Sequence, residues 1–262
     1  MGTDWALILG ASSGFGEATA LELAASGYNI AGVHFDLRST LPNAERIQNE
    51  IRGHGCEALF FNVNAADAGK RGTVVDALAE RLGQDGGYVR VLLHSLAFGT
   101  LLPYFGESAK EMMSQKQMEM TLDVMAHSLV YWTQDVMGKG LLREGSRIFA
   151  MTSSGGSRVI RSYGAVSAAK AALESHIRQL AVELAPLGIA ANSIRAGVTD
   201  TPALRRIPEG PALLERARAA NPSGRSTKPE DVAKAIAALA DGRLGWMTGN
   251  VIGIDGGEDI TA

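Results

Sequence analysis

Cysteine is almost absent from this chain. The single Cys56 cannot build an internal disulfide framework, and one thiol fits a reducing compartment. Long apolar runs are missing as well. No stretch approaches the ~20 consecutive apolar residues that a membrane-spanning helix needs. The opening MGTDWALILGASSG lacks the charged segment and long apolar core of a signal peptide, so a cytoplasmic protein is expected. Histidines are few, and His34, His54, His94, His127 and His176 show no paired ligand spacing, so no metal is expected. A formal net charge of −3 over 262 residues leaves no footprint for nucleic acid. Basic residues gather at one place, Arg205, Arg206, Arg216, Arg218 and Arg225, either as a solvated helix face or as a landing site for an acidic partner.

What is present is alternation. Short apolar runs at Trp5–Leu9, Asn29–His34, Glu57–Asn62, Val89–His94, Ser146–Thr152, Ala190–Ile194 and Val251–Ile254 read as strands. Between them lie segments of helical spacing such as Gly16–Ser26, Leu41–Gly53 and Gly72–Leu82. The pattern predicts the α/β class: a single Rossmann-type, doubly wound parallel sheet of about seven strands with helices on both faces. Composition does not shift along the chain, so one domain over residues 1–262 is expected. The least regular stretch, about 198–228, is broken by Pro202, Pro208, Pro211 and Pro222 and suits a movable lid over a ligand.

The first strand runs into Gly10-Ala11-Ser12-Ser13-Gly14-Phe15-Gly16 and then a helix start. Glycines at 10, 14 and 16 permit a tight turn and bring backbone N–H groups close to a pyrophosphate, to which the helix N-terminus adds its partial positive charge. A dinucleotide is therefore expected here. Cofactor form is decided after the second strand, in Val33-His34-Phe35-Asp36-Leu37-Arg38-Ser39. His34 stands where a ribose-binding Asp is usual; His34, Arg38 and Ser39 could hold a 2′-phosphate, whereas an inward Asp36 would repel one. NADPH is the expected cofactor, with NADH as the alternative. Asn62-Val63, after the third strand, is placed to meet adenine or else forms an ordinary strand-end turn.

Tyr163 and Lys170 lie seven apart in YGAVSAAK, an alanine-rich run of helical periodicity. Seven residues is about two turns, so both side chains should leave one helix face. A lysine near a phenol favours the phenolate and tunes it for proton transfer near neutral pH.

Taken together, these residues resemble the short-chain dehydrogenase/reductase family over nearly the whole chain. GASSGFG is similar to its glycine motif, YGAVSAAKAAL to its catalytic helix, and TGNVIGIDGG (248–257) to its closing strand. HSLA (94–97) stands where many members carry NNAG, and ANSIRAGVTDTPAL (191–204) resembles the segment that grips the nicotinamide carboxamide and phosphates. Commoner members have Tyr-x3-Lys, which would put tyrosine at 166; this chain has Val166 there. The spacing Tyr-x6-Lys, HSLA and Ala196-Gly197 resemble the divergent enoyl-acyl-carrier-protein reductases, in particular their long-lid branch. Met125 falls near the family's catalytic asparagine, so a water relay built on that amide is not expected. Ser153, 17 residues before Lys170, resembles instead the carbonyl-binding serine of ketoreductases.

The resemblance implies a set of roles. Tyr163 would stabilise a forming enolate, Lys170 would bind the nicotinamide ribose, and Ser153 would add a polar contact. Gly197, Thr199 and Thr201 would hold carboxamide and phosphates, with Ser95, Leu96 and Ala97 on the ribose side. Tyr104, Tyr131 and His94 read as packing, surface or strand-end residues. The implied activity is NAD(P)H-dependent reduction of enoyl thioesters on an acyl carrier protein, under a lid whose Leu204, Ile207, Leu213 and Leu214 offer apolar contact. A 3-ketoacyl thioester reductase and a non-catalytic NADPH-binding regulator are the alternatives. A homo-oligomer, by resemblance a tetramer, is expected.

Overall fold

The computed structural model describes residues 4–261. These form a seven-stranded sheet in the order β3-β2-β1-β4-β5-β6-β7, parallel at every pairing. The strands are β1 Asp4–Leu9, β2 Asn29–His34, β3 Ala58–Asn62, β4 Tyr88–His94, β5 Arg147–Thr152, β6 Ala190–Ala196 and β7 Val251–Ile254. The helices are α1 Gly14–Ala25, α2 Leu41–Gly53, α3 Ala68–Gly83, α4 Gln115–Leu122, α5 Ser128–Gly138, α6 Gly164–Leu184, α7 Gly210–Ala220 and α8 Pro229–Leu239. The expected strands and architecture are observed, with edges differing by one or two residues.

The central strands are buried on both sides, which is why they are near-continuous apolar runs rather than alternating ones. Successive side chains nevertheless part to opposite faces. Trp5, Leu7 and Leu9 of β1 join a core with Leu78 and Leu82 of α3, Leu129 and Trp132 of α5, and Leu173 and Ile177 of α6. Ala6 and Ile8 join the other core, with Leu23 of α1, Ile47 and Ile51 of α2, and Val232 and Ile236 of α8. Helices thus cover both faces.

Two local features go beyond the periodicity reading. The helical run from α4 to α5 is interrupted by a π turn, Asp123–His127, that joins the two. Such single π turns inside helices are frequent at functional sites. The segment expected as a lid contains a regular helix, α7, and is closed at its base by a bridge between Thr199 and Thr227. No described helix is long and apolar enough to cross a membrane.

Sheet order reverses between β1 and β4, and ligands of open α/β sheets bind in the crevice beyond such strand ends. Gly10, at φ +93°, lies in this crevice. A Cβ there would stand 2.5 Å from the Ser95 carbonyl oxygen at the end of β4. A Cβ at Gly16 would run into the Gly10 carbonyl. The turn can be this tight only with glycine at both positions.

Candidate active site

A cavity of about 780 Å³ opens along the C-terminal ends of the strands. Its walls bring together Ser13, Gly14 and Phe15 of the glycine turn, Ser95, Leu96 and Ala97 after β4, Ser153 after β5, Tyr163 and Lys170, and Gly197, Thr199 and Thr201 after β6. These sequence-expected residues converge from five separate segments. Gly10, Ser12, Gly16, His34, Arg38, Asn62 and Val63 do not line it. Among the expected lid residues, Leu204, Ile207 and Leu213 line the cavity and Leu214 does not.

The residues at the nucleotide end fit a dinucleotide. Ser13 is the N-cap of α1, but its hydroxyl makes no capping bond, so the first N–H groups of the helix remain available to an anion. Asp36 turns its carboxylate towards the glycine turn. Burial raises that carboxyl, but hydrogen bonds from Ser12, Thr40 and His34 more than offset this and hold it below its usual range. Buried His34 meets Asp36 through Nδ1 at 2.8 Å. The Asn62 amide is engaged from both ends: its oxygen accepts the Asp36 N–H at 2.8 Å and its NH2 donates to the Asp36 carbonyl at 3.0 Å. Asn62 therefore fixes the bend after β2, which is the strand-end role rather than a free adenine contact. Arg38 is exposed and makes no ion pair among the described residues.

Tyr163 does not sit within the helix. It is the N-cap of α6, with φ −97° and ψ 5°, and its carbonyl accepts the Ser167 N–H at 2.8 Å. The residue before it, Ser162, has φ 58° and is the one non-glycine at positive φ among the described residues. A left-handed serine costs of order 1 kcal/mol, and strain of this kind is concentrated at functional sites. Here it turns the chain so that the Tyr163 ring enters the cavity. Ser162→Gly should therefore retain turnover. Ser162→Val, which adds a β-branch at positive φ, should lose about 1–2 kcal/mol of stability and most activity. Thermal unfolding and turnover of the two variants check this.

The Tyr163 ring lies where a Cβ at Gly155 would come within 2.7 Å of it, so Gly155 leaves it room. Ser153 shares a hydrogen bond with the phenol and also accepts the Gly155 N–H at 3.1 Å. Burial raises the phenol above its usual range, and the Ser153 hydrogen bond opposes this without reversing it. Tyr163 is therefore protonated at neutral pH. Burial, which periodicity cannot reveal, outweighs any pull of the lysine on the phenol.

Lys170 is buried, and its Nζ donates to the Met151 carbonyl at 2.7 Å. Burial lowers its ammonium to about 8, with Glu174 one turn on pulling the other way. Glu174 in turn accepts from Thr152 Oγ1 at 2.6 Å. His94, at the end of β4, is fully buried; burial and the Lys170 charge lower it to about 3. It is thus neutral at any working pH.

An apolar wall completes the site. Met125 of the π turn and Val166 both line the cavity. They converge with Thr121 on Gly99, where a Cβ would meet all three at 2.8–3.0 Å. Sequence reasoning noted positions 125 and 166 as departures but not that they meet.

It also missed the closing segment. Glu258 accepts the Val198 N–H at 3.0 Å, while Asp259 pairs with both Arg158 and Arg195, at 2.8 and 2.9 Å. The acidic run after the last strand was the available signal. Of the five gathered arginines, Arg205, Arg218 and Arg225 pair with Asp200, Glu215 and Asp231. Arg206 and Arg216 line the cavity and have no carboxylate partner among the described residues. Tyr104 packs on Gly164, where a Cβ would lie 2.6 Å from its ring, and Tyr131 lies under Arg71, as packing residues do.

A family model described as enoyl-(acyl carrier protein) reductase matches residues 10–258. An NADPH-dependent aldehyde reductase-like protein of Arabidopsis thaliana is 28% identical, the match covering 96% of this chain and 93% of the relative. An NADPH-dependent enoyl-acyl-carrier-protein reductase of Staphylococcus aureus is 29% identical over 68% of each chain. A short-chain dehydrogenase of Burkholderia cenocepacia, solved in complex with NADP, is 26% identical and superposes with a TM-score of 0.82 over 98% of both chains.

Proposed function

The chain belongs to the short-chain dehydrogenase/reductase family, an oxidoreductase family, in its enoyl-(acyl carrier protein) reductase-like branch, and from this premise we propose that it reduces the 2,3 double bond of an enoyl thioester. One observation carries the reading. The phenol that shares the cavity with Lys170 comes from position 163, while position 166 presents valine. Three residues of helix correspond to about 4.5 Å. In carbonyl reduction the protonated oxygen sits on the carbon that receives hydride. In enoyl reduction hydride reaches Cβ, and charge develops on a thioester oxygen further away. A donor set back to the N-cap, just ahead of the helix, suits the second geometry.

The bound nicotinamide would supply hydride. Tyr163, protonated, donates a hydrogen bond to the thioester oxygen and stabilises the enolate as charge accumulates there; a proton from solvent, relayed by the phenol, then reaches Cα and completes the reduction. Lys170 would hold the nicotinamide ribose and lend positive potential to the site. Ser153 orients the phenol. Met125 and Val166 keep the reacting carbons in dry surroundings. The cofactor is read as NADPH, with NADH as the lesser alternative: Arg38 is free to meet a 2′-phosphate, and His34 ties up the carboxylate that would otherwise repel it. The S. aureus and B. cenocepacia relatives, named for NADPH and NADP, agree with this.

The Ser153–Tyr163 hydrogen bond favours a second reading, reduction of a 3-ketoacyl thioester, and the aldehyde reductase-like relative belongs on that side. The deciding experiment follows oxidation of NADPH and NADH with crotonyl and acetoacetyl thioesters in parallel. Crotonyl turnover supports the enoyl reading. Acetoacetyl turnover alone replaces it with the second, and tight NADPH binding without turnover of either would indicate a regulator.

An acyl carrier protein is the proposed bearer of the substrate, in fatty-acid synthesis. Arg206 and Arg216 stand at the cavity mouth with their charge unspent, so they are the arginines to meet an acidic carrier; Arg205 is paired. Arg206→Glu with Arg216→Glu should raise KM for carrier-linked crotonate about tenfold and leave the pantetheine thioester within about twofold. Equal effects on both substrates would remove the carrier from the proposal. A homo-oligomer is supported by β7, an edge strand beside exposed Trp246 and Val251.

A further inference from the structure

His94 is fully buried yet plays no part in the roles above. Its Nε2 meets Ser128 Oγ at 2.9 Å, and Ser128 Oγ donates its own proton to the Val124 carbonyl at 2.8 Å. With that proton spent on the carbonyl the hydroxyl accepts from His94, and the Nε2–H tautomer is the one that satisfies this network. Its Nδ1 is then a bare acceptor, and it has no hydrogen-bond partner among the described residues. A buried acceptor left unmade is costly, and a neutral imidazole fixed by one nitrogen usually serves through the other.

The place of that acceptor in the fold puts it on the side of the sheet where Lys170 is held. His94 lies opposite Ala150 in the β4–β5 register, and Ala150 belongs to the core under α5 and α6. The imidazole therefore projects to the face that α6 covers. The next residue of β5, Met151, supplies the carbonyl that grips Lys170 Nζ. That ammonium has three N–H donors and, among the described residues, one hydrogen bond. Lys170 is the charged group whose field His94 feels, and Glu174 the one that acts on Lys170.

We propose that His94 is a positioning residue for the reduction: a neutral imidazole locked by Ser128, whose Nδ1 is the second protein acceptor of the Lys170 ammonium, reached through one water. It holds the ammonium on the floor of the cavity, with its remaining donor turned to the nicotinamide ribose. The proposal rests on Lys170 acting as read above.

Three variants test it: His94→Phe, which removes the acceptor and keeps a ring, His94→Gln, which keeps an acceptor, and Ser128→Ala, which unlocks the tautomer. Losing an acceptor from an ammonium lowers its pKa. The alkaline limb of kcat, and of NADPH affinity followed by fluorescence, should move down by about one pH unit in His94→Phe. His94→Gln should restore most of that shift, and Ser128→Ala should show part of it. Nitrogen NMR of the imidazole should report the neutral Nε2–H form throughout pH 5–9. A limb that stays in place while the melting temperature falls would make His94 a packing residue and overturn the proposal. So would an Nδ1–H or a titrating imidazole. The binding limb and the NMR signal need no turnover, so they remain decisive if the enoyl substrate proves wrong. Should His94→Phe fail to fold, Ser128→Ala carries the same test.

Discussion

Tyr163→Phe is expected to lower kcat for a crotonyl thioester by a hundredfold or more, while NADPH binding changes by no more than about twofold. The size follows from what the phenol does in the proposed reaction. Charge appears on the thioester oxygen only as hydride arrives, so a donor aimed there stabilises the transition state and hardly touches the bound substrate. KM should therefore stay close to its wild-type value. Clean interpretation follows from the packing. The ring is seated against Gly155, where a Cβ would intrude to 2.7 Å, and phenylalanine fills the same seat. Ser153 loses one partner but still accepts the Gly155 N–H. The cost in stability should thus be about 1 kcal/mol. A variant that melts far below wild type would show that the hydroxyl is structural. A variant that reduces crotonyl thioester at near wild-type rate would remove Tyr163 from the chemistry.

Much of this site could be read before folding. The glycine turn is legible because only glycine at 10 and 16 lets β1, α1 and the end of β4 approach so closely, and that demand shows as a fixed spacing. The strands are legible because a parallel sheet buried on both faces asks for unbroken apolar runs. What stayed hidden depends on burial and long-range contact. Tyr163 and Lys170 looked like neighbours on one helix face; the left-handed Ser162, which no sequence rule flags, puts the tyrosine on the cap instead. The pull of a lysine on a phenol is legible from spacing, but the burial that opposes it is not. Asn62 could not be assigned without knowing that Asp36 folds back onto it. The arginine cluster read as one feature, yet short-range pairing with Asp200, Glu215 and Asp231 divides it into spent and unspent charges. His94 read as an ordinary strand end because nothing in its neighbours announces complete burial.

Lys170→Met should abolish turnover and yet make the protein less costly to fold near neutral pH. The ammonium ordinarily titrates at 10.5, and burial lowers it to about 8. That displacement corresponds to about 3 kcal/mol of unfavourable charge burial in the wild type. The sign can be followed through pH. Below 8 the lysine is protonated in both folded and unfolded chains, so the penalty is constant. Between about 8 and 10.5 the unfolded chain binds the proton and the folded chain does not, so this group makes stability rise with pH. Above that window the penalty is gone. The wild type should accordingly gain about 3 kcal/mol on Lys170→Met between pH 7 and pH 10.5. The absolute offset is smaller, because methionine leaves the Met151 carbonyl without its donor, at about 1–3 kcal/mol. Denaturant unfolding of both proteins at several pH values gives the difference directly. Parallel curves would mean that Lys170 is not desolvated in solution. Wild-type activity should run against stability over the same range, falling as the ammonium is lost near pH 8 while the fold tightens. A buried lysine that weakens the fold in the protonation state the reaction needs is the mark of a residue retained for chemistry rather than for packing.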